Sequence, residues 1–116
     1  MLCNILLGNT DDHARNHAMM YLVGDRRWRL SPVYDVLPTL GGVRGHQAMG
    51  VGAQGADATL ENARSLCRLF YFSDAQARSE IERLRALVAT LPKRAAKAGM
   101  AAGEVHMLEG VLNLGA

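Results

Sequence analysis

The chain has 116 residues, 49% of them apolar and 21% charged, with a formal net charge of +2. This length allows one small domain, and the composition is too apolar for an intrinsically disordered chain. The charge is too small to indicate a nucleic-acid-binding surface, and no apolar run reaches the roughly 18 residues of a membrane span. The two cysteines, Cys3 and Cys67, are too few for a disulfide framework or a zinc site. The composition therefore predicts a soluble, cytoplasmic globular domain without a membrane contact.

The first 40 residues predict a short apolar segment followed by a β-hairpin. Residues 2–7 form an apolar run that suits either a helix or a strand. Residues 19–23 and 28–30 flank the turn sequence Gly24-Asp25-Arg26, which predicts two paired strands. Ser31-Pro32 is expected to end the second strand, because proline cannot donate a hydrogen bond to a ladder.

Residues 41–56 are rich in glycine and lack a sustained periodicity, which predicts a long loop with room for a short strand at 47–51. Within this loop, Gly50-Val51-Gly52-Ala53-Gln54-Gly55 fits the Gly-x-Gly-x-x-Gly pattern of phosphate-binding loops. A nucleotide role is not expected for it, because that pattern binds a dinucleotide only within a strand–turn–helix unit with an acidic residue further on.

The remaining residues, 57–116, predict three or four helices. The first is indicated by apolar residues at steps of three and four, namely Leu60, Ala63, Cys67 and Phe70. Either Asp57 or Thr59 is expected to cap its start.

The later helices are indicated by capping and stop signals. Ser73-Asp74-Ala75-Gln76 matches a capping box, which starts the second helix. Its apolar stripe comprises Ile81, Leu84, Val88 and Leu91. Pro92 is expected to kink this helix or to start a new one. Gly99 and Gly103 are expected to bracket a short break before the last helix.

The most informative stretch is Gly8-Asn9-Thr10-Asp11-Asp12-His13-Ala14-Arg15-Asn16, which concentrates polar side chains between two apolar segments. Protein kinases need a carboxylate beside the attacking hydroxyl, an amide oxygen on Mg²⁺ and a second carboxylate on the metal. Kinases space the first two as Asp-x-x-x-x-Asn, and Asp11 and Asn16 have that spacing. Asp35 follows the predicted hairpin, where the second carboxylate is expected. These three side chains would then meet at one metal–phosphate centre.

Two other interpretations fit the same residues. In a purely structural one, Thr10 or Asp11 caps a helix within an Asx-rich turn, and Asp35 merely ends a strand. In the other, Asp11, Asp12 and His13 form a metal-binding scaffold, although no ligand spacing supports it. Spacing alone does not choose among the three.

Two linked motifs closely resemble the HipA-like family of bacterial serine/threonine kinases. Residues 8–16 match the family's Thr-Asp-x-His-x-Lys-Asn loop, and Trp28-Arg29-Leu30-Ser31-Pro32-Val33-Tyr34-Asp35-Val36-Leu37-Pro38-Thr39 matches its Pro-x-Tyr-Asp segment. The specific likeness covers residues 2–40, and the helical tail agrees only in kind. The resemblance implies a mainly α (α+β) fold, like the C-terminal lobe of a protein kinase, with one β-hairpin packed against three or four helices.

Residues 1–116 would then be the C-terminal portion of a HipA-like kinase domain. The implied parts are a catalytic loop, hairpin and metal-Asp segment at 1–40, a Gly-rich loop at 41–56 and a helical tail at 57–116.

The resemblance also implies roles for individual residues. Asp11 would be the catalytic base, and Asn16 and Asp35 would be the Mg²⁺ ligands. The implied nucleotide-binding residues are His13, Arg15, Asn16, Tyr34 and Asp35. Arg15 stands where the family usually has lysine, so a planar guanidinium replaces a point charge. Asp12 stands where the family often has a small residue, and we expect its carboxylate to face solvent rather than act on Asp11.

The implied cofactors are ATP and Mg²⁺, and the implied substrate is a protein. Family members act as cytoplasmic toxins that a helix-turn-helix antitoxin holds in check, so any contact with DNA would be indirect. The lysine, glutamate and Gly-rich loop that hold ATP are expected in a missing N-terminal kinase lobe, because the only lysines here are Lys93 and Lys97. We therefore expect the chain to be inactive alone and to pair with that lobe or form a homo-oligomer. The alternative is a non-catalytic helical protein-binding or assembly module derived from the kinase fold.

Overall fold

The computed structural model describes residues 1–40 and 45–116, and its regular structure is mainly helical. The elements are α1 (Leu2–Leu6), a 3₁₀ turn (Ala14–Asn16), β1 (Met19–Leu22), β2 (Arg27–Leu30), α2 (Leu60–Ser65), a second 3₁₀ turn (Cys67–Phe70), α3 (Asp74–Ala89), α4 (Leu91–Lys97) and α5 (Ala102–Val111). This arrangement confirms the predicted mainly helical α+β fold with one hairpin. The described helices are all too short or too polar to cross a membrane.

The core forms where α1 packs against α2 and α3. Its buried residues on these helices are Ile5, Leu6, Leu60, Ala63, Ile81 and Val88. The apolar run at 2–7 is therefore helical over most of its length. A helix suits this buried position because it satisfies the hydrogen bonds of its own backbone.

The predicted hairpin is confirmed, but its predicted packing is wrong. Strand β1 pairs antiparallel with β2 in the register Met19↔Leu30, and β2 ends just before Ser31-Pro32 as expected. Tyr21 and Trp28 are cross-strand partners whose ring centroids lie 5.4 Å apart. All strand residues except the half-buried Leu22 are exposed. The helices cover one another, so the described core cluster draws no residue from either strand.

The described part of the Gly-rich loop folds back onto α2 without forming a strand. Residues 41–44 of the predicted loop lie outside the described residues. The expected strand at 47–51 is replaced by two isolated bridges, His46↔Asp57 and Gly52↔Gly55. The fully buried side chain of Asn62 fastens this loop, because its amide donates to the carbonyls of Gly55 at 3.2 Å and Asp57 at 2.8 Å.

Helix α2 is shorter than its apolar spacing predicts. Thr59 caps its start, because its hydroxyl oxygen accepts a hydrogen bond from the backbone N–H of Asn62 at 3.0 Å. The helix ends at Ser65, whose hydroxyl donates to a carbonyl of the preceding turn and competes with the helical hydrogen bonds. Cys67 and Phe70 therefore lie in the 3₁₀ turn, and Phe70 is exposed rather than buried.

The C-terminal helices follow most of their predicted boundaries. The Ser73–Gln76 capping box is present at the start of α3. Pro92 begins a new helix, since it lies in the first turn of α4. The break before α5 follows Gly99, whose φ is +98°, whereas Gly103 lies inside α5 and not in the break. The predicted stripe faces the core, with Ile81 and Val88 buried and Leu84 and Leu91 partly buried.

Candidate functional site

The candidate site begins where Gly8 ends α1. Gly8 has a φ of +66°, a conformation that glycine adopts without steric cost. A Cβ at this position would lie 2.6 Å from the carbonyl oxygen of Val111, so a larger residue would also collide with the end of α5. This tight reversal places Asn9 in a buried position directly after the helix.

Asn9 connects the loop to the segment that carries Asp35. Its side-chain amide donates to the backbone carbonyl of Asp35 and to Oδ1 of Asn4, both at 3.2 Å. Its Oδ1 accepts a hydrogen bond from the Asp11 amide at 3.0 Å, which forms an Asx turn. The purely structural interpretation is therefore wrong in its residues, because Asn9 forms the turn and no side chain caps the following 3₁₀ turn.

Asn16 and Asp35 meet, although 19 positions separate them in sequence. The Nδ2 atom of Asn16 donates to Oδ2 of Asp35 at 2.7 Å. Asp35 has a φ of +57°, in the left-handed region where aspartate is one of the few tolerated non-glycine residues. Backbone strain of this kind concentrates at functional sites. Among the described residues, the buried Oδ1 of Asn16 has no hydrogen-bond partner.

The oxygen atoms around this pair suit Mg²⁺. Magnesium prefers oxygen ligands, and proteins commonly hold it with one or two side chains while substrate phosphates and water complete the shell. The unpartnered Oδ1 of Asn16 and the carboxylate of Asp35 supply such ligands side by side. The scaffold of Asp11, Asp12 and His13 is not formed, since no group of three His, Cys, Asp or Glu side chains in the described residues could hold a metal.

Asp11 stands apart from this pair and faces outward. Its side chain is 78% exposed, and its Oδ1 lies 3.9 Å from Nε2 of His13. No hydrogen bond or ion pair within residues 1–40 and 45–116 joins Asp11 to Asn16 or Asp35. The carboxylate is therefore open to a group that approaches from solvent. The Nδ1 atom of His13 is buried and has no partner among the described residues.

Tyr34 and Arg15 are linked through the backbone. The Tyr34 hydroxyl donates to the carbonyl of Arg15 at 2.5 Å, which ties the segment before Asp35 to the 3₁₀ turn that carries Asn16. The guanidinium of Arg15 is exposed and forms no ion pair with any described residue. Arg15 therefore remains available to an anionic ligand, whereas the Tyr34 hydroxyl is already engaged.

The expectation that Asp12 faces solvent is wrong. Asp12 is only 3% exposed, and its Oδ1 lies 2.9 Å from Nε2 of His17. Burial alone would raise the pKa of Asp12, but the polar side chains of Asn4 and His17, together with the N-terminal ammonium 3.5 Å from Oδ2, outweigh burial and lower it below its usual value. Sequence reasoning assigned no role to Asn4 or His17. Their one signal was their position on either side of the polar stretch.

The Gly-x-Gly-x-x-Gly sequence does not expose amides to a phosphate. The amides of Val51 and Gly52 both donate to the carbonyl of Gly55. Those of Ala53 and Gln54 donate to Ser65 and Asn62 on α2. A phosphate-binding loop needs unpaired N–H groups that converge on the ligand, so this loop is a structural element.

Beside Asn16 and His17 lies a groove of about 590 Å³. It runs between α1, the hairpin exit, the second 3₁₀ turn and α3, and its apolar lining includes Leu2, Cys3, Val33, Phe70, Phe72 and Ile81. The polar residues of the candidate site therefore border an apolar surface.

Comparison with known families agrees with this geometry. Residues 1–99 match the HipA-like C-terminal domain. The chain belongs to this family. No curated protein and no solved structure matches the chain. The matched range extends well beyond the motifs at 2–40, so most of the helical tail of this HipA-like C-terminal domain is included.

Proposed function

We propose that this HipA-like C-terminal domain carries the catalytic base and the metal ligands of an ATP- and Mg²⁺-dependent protein serine/threonine kinase. The observation that carries the proposal is the Asn16–Asp35 pair, with its 2.7 Å hydrogen bond and the unpartnered Oδ1 of Asn16 beside it. A buried acceptor without a partner is costly unless something binds it. In kinases the corresponding amide and carboxylate oxygens hold Mg²⁺.

In this proposal the exposed carboxylate of Asp11 accepts the proton of a serine or threonine hydroxyl on a protein substrate. Its 78% exposure suits this role, because a macromolecular substrate must reach the carboxylate from outside. Bound Mg²⁺ would neutralise charge on the transferred phosphoryl group. Asn16 and Asp35 hold the metal, and the exposed Arg15 guanidinium contacts phosphate oxygens. His13 lies next to Asp11 and would contact the nucleotide, while the hydrogen bond from Tyr34 to Arg15 ties the Asn16 turn to the Asp35 segment.

The rest of the kinase machinery belongs to the proposal as well. An N-terminal lobe would supply the lysine, glutamate and Gly-rich loop that hold ATP. The intact kinase would be the cytoplasmic toxin of a toxin–antitoxin pair, with a helix-turn-helix antitoxin as partner and DNA contacted only through it. This part of the proposal is supported by membership of the HipA-like family.

Calorimetric titration of the 116-residue chain with ATP, with and without MgCl₂, tests the metal half of the proposal. We expect binding that requires Mg²⁺ and that Asp35→Ala abolishes. Asp25→Ala is the matched control, because Asp25 is an exposed aspartate of the hairpin turn whose ion-pair partners among the described residues are Arg27 and Arg29. ATP binding that does not require Mg²⁺, or that is retained in Asp35→Ala, would contradict the assignment of the metal ligands.

The catalytic role of Asp11 is tested in the full-length kinase that contains this domain. Loss of a general base slows proton transfer by about 10²- to 10⁴-fold. We expect Asp11→Ala to reduce phosphate transfer by that factor while Mg²⁺-dependent nucleotide binding is retained. Transfer at the wild-type rate would show that Asp11 is not the base.

A second candidate function, a non-catalytic protein-binding or assembly module, is favoured by the exposed apolar surface. Val23, Trp28 and Val33 are 78%, 64% and 85% exposed, and the apolar groove lies next to Val33. Exposed apolar side chains and an apolar groove are features of interaction sites. Sedimentation equilibrium distinguishes the two functions. Self-association that Trp28→Ser weakens, without any Mg²⁺-dependent nucleotide binding, would favour the assembly module.

A further inference from the structure

Hydrogen bonds join the two proposed metal ligands to residues outside the kinase-like motif. Oδ1 of Asn4 on α1 accepts a hydrogen bond from Asn9, and Asn9 also donates to the backbone carbonyl of Asp35. Asn16 donates to the carboxylate of Asp35. His17, the residue that directly follows Asn16, is bonded to Asp12. In order, the members of this polar network are Asn4, Asn9, Asp35, Asn16, His17 and Asp12.

Most members of the polar network are buried. Asn4, Asn9, Asp12 and Asn16 are each less than 8% exposed, and they account for most of the buried polar residues in the described part of the chain. Inside a protein such hydrogen bonds are electrostatically strong, and a connected network fixes one geometry more firmly than isolated bonds do. A lost member cannot be replaced easily by solvent at these positions.

The polar network contacts the Asn16–Asp35 pair from two sides. On one side, Asn9 fixes the backbone of Asp35 and is itself held by Asn4. On the other side, the buried Asp12 holds His17 and thereby the C-terminal end of the 3₁₀ turn that presents Asn16. Two series of hydrogen-bonded residues therefore lead away from the Asn16–Asp35 pair, one to Asn4 and the other to Asp12.

We infer that Asn4, Asp12 and His17 are positioning residues that hold the side chain of Asn16 against Asp35, in the arrangement that the proposed Mg²⁺ site requires. The inference rests on the proposed function for its link to Mg²⁺. The part that concerns the orientation of Asn16 can be measured without any ligand.

The test follows the side-chain amide of Asn16 by NMR in the ¹⁵N-labelled 116-residue chain. One side-chain N–H of Asn16 donates to Asp35, so we expect its proton to resonate at low field and to exchange slowly with water. Asp12→Asn and His17→Ala should move this resonance towards the position of a solvated amide. His17→Gln retains a donor for Asp12 and should preserve it. Asp25→Asn on the exposed hairpin turn serves as the matched control and should leave it unchanged.

The same variants are titrated with Mg²⁺ and the non-hydrolysable β,γ-imido analogue of ATP. Loss of a residue that orients a metal ligand typically weakens metal binding by about 10- to 100-fold. We expect that loss for Asp12→Asn and His17→Ala and near wild-type affinity for His17→Gln. A purely structural role would not produce rescue by glutamine alone.

The outcomes separate this inference from the proposed function. If the Asn16 resonance stays in place in folded His17→Ala and Asp12→Asn, the positioning role is overturned. Should Asp12→Asn fail to fold, His17→Ala decides alone, because His17 is 42% exposed and its loss leaves the core intact. If the resonance moves as expected but the full-length kinase that contains this domain binds no Mg²⁺–nucleotide, the positioning role stands and the proposed function fails.

Discussion

The side chain of Asn62 offers the sharpest prediction about stability. It is 1% exposed, and three side-chain hydrogen bonds connect it to the Gly-rich loop. At about 1 kcal/mol for each hydrogen bond, Asn62→Ala should lower the free energy of unfolding by about 3 kcal/mol. The loss should not be much larger, because Gln54 and Gly55 are exposed and water can replace part of what they lose. A small domain has only about 5–15 kcal/mol of total stability, so this effect is large.

Urea denaturation followed by circular dichroism measures this effect. The midpoint should fall while the m-value stays constant, which identifies a change in stability rather than in the denatured state. Thr59→Ala is the matched control, because Thr59 caps the same helix with one hydrogen bond and should cost only about 1 kcal/mol. If Asn62→Ala costs no more than Thr59→Ala, then Asn62 does not fasten the loop.

The remaining predictions concern glycine and charge. A Cβ on Gly52 would lie 1.8 Å from the carbonyl oxygen of Asn62, whereas one on Gly50 would meet nothing within 4 Å. Gly52→Ala should therefore lower the melting temperature strongly and Gly50→Ala little, and equal effects in thermal unfolding would contradict the packing. A second prediction concerns acid. Because the pKa of Asp12 is lowered in the fold, its carboxylate stabilises the protein above its usual pKa, and this stability is lost as the pH falls through the folded value. Urea unfolding between about pH 5 and pH 2 should therefore show a steeper loss in the wild type than in Asp12→Asn. Parallel curves would show that the fold does not stabilise the ionised carboxylate of Asp12.

Local signals in the sequence predicted the elements that depend on local chemistry. The turn at Gly24-Asp25-Arg26 predicted the hairpin, and the Ser73–Gln76 pair predicted the start of α3. Both depend on a few adjacent residues, so their outcome does not require knowledge of the rest of the fold. The order of loop, hairpin and second carboxylate likewise predicted that Asp11, Asn16 and Asp35 would converge. A hydrogen bond joins Asn16 to Asp35, whereas Asp11 stands apart from both.

The predictions were wrong where the structure depends on residues that are distant in the chain. The helical spacing that continued through Cys67 and Phe70 gave no sign that the Ser65 hydroxyl would bond to the backbone and that the helix would end there. The burial of the hairpin could not be predicted either, because it depends on how completely α1, α2 and α3 cover one another. Tertiary context of this kind overrides local periodicity.

Asp11 and Asp12 show why the polar network could not be predicted from the sequence. The two carboxylates are adjacent and chemically equivalent in sequence, yet one side chain is 78% exposed and the other residue is 3% exposed. The difference arises from partners that lie elsewhere in the chain, since His17 and the N-terminal ammonium lie against Asp12, whereas the carboxylate of Asp11 has no hydrogen-bond partner among the described residues. Under the proposed function, Asp12 would help to position the metal ligands and the exposed Asp11 would accept a proton. Because the position of Asp12 often holds a small residue in the family, a buried carboxylate there is not a general requirement of a kinase-like loop.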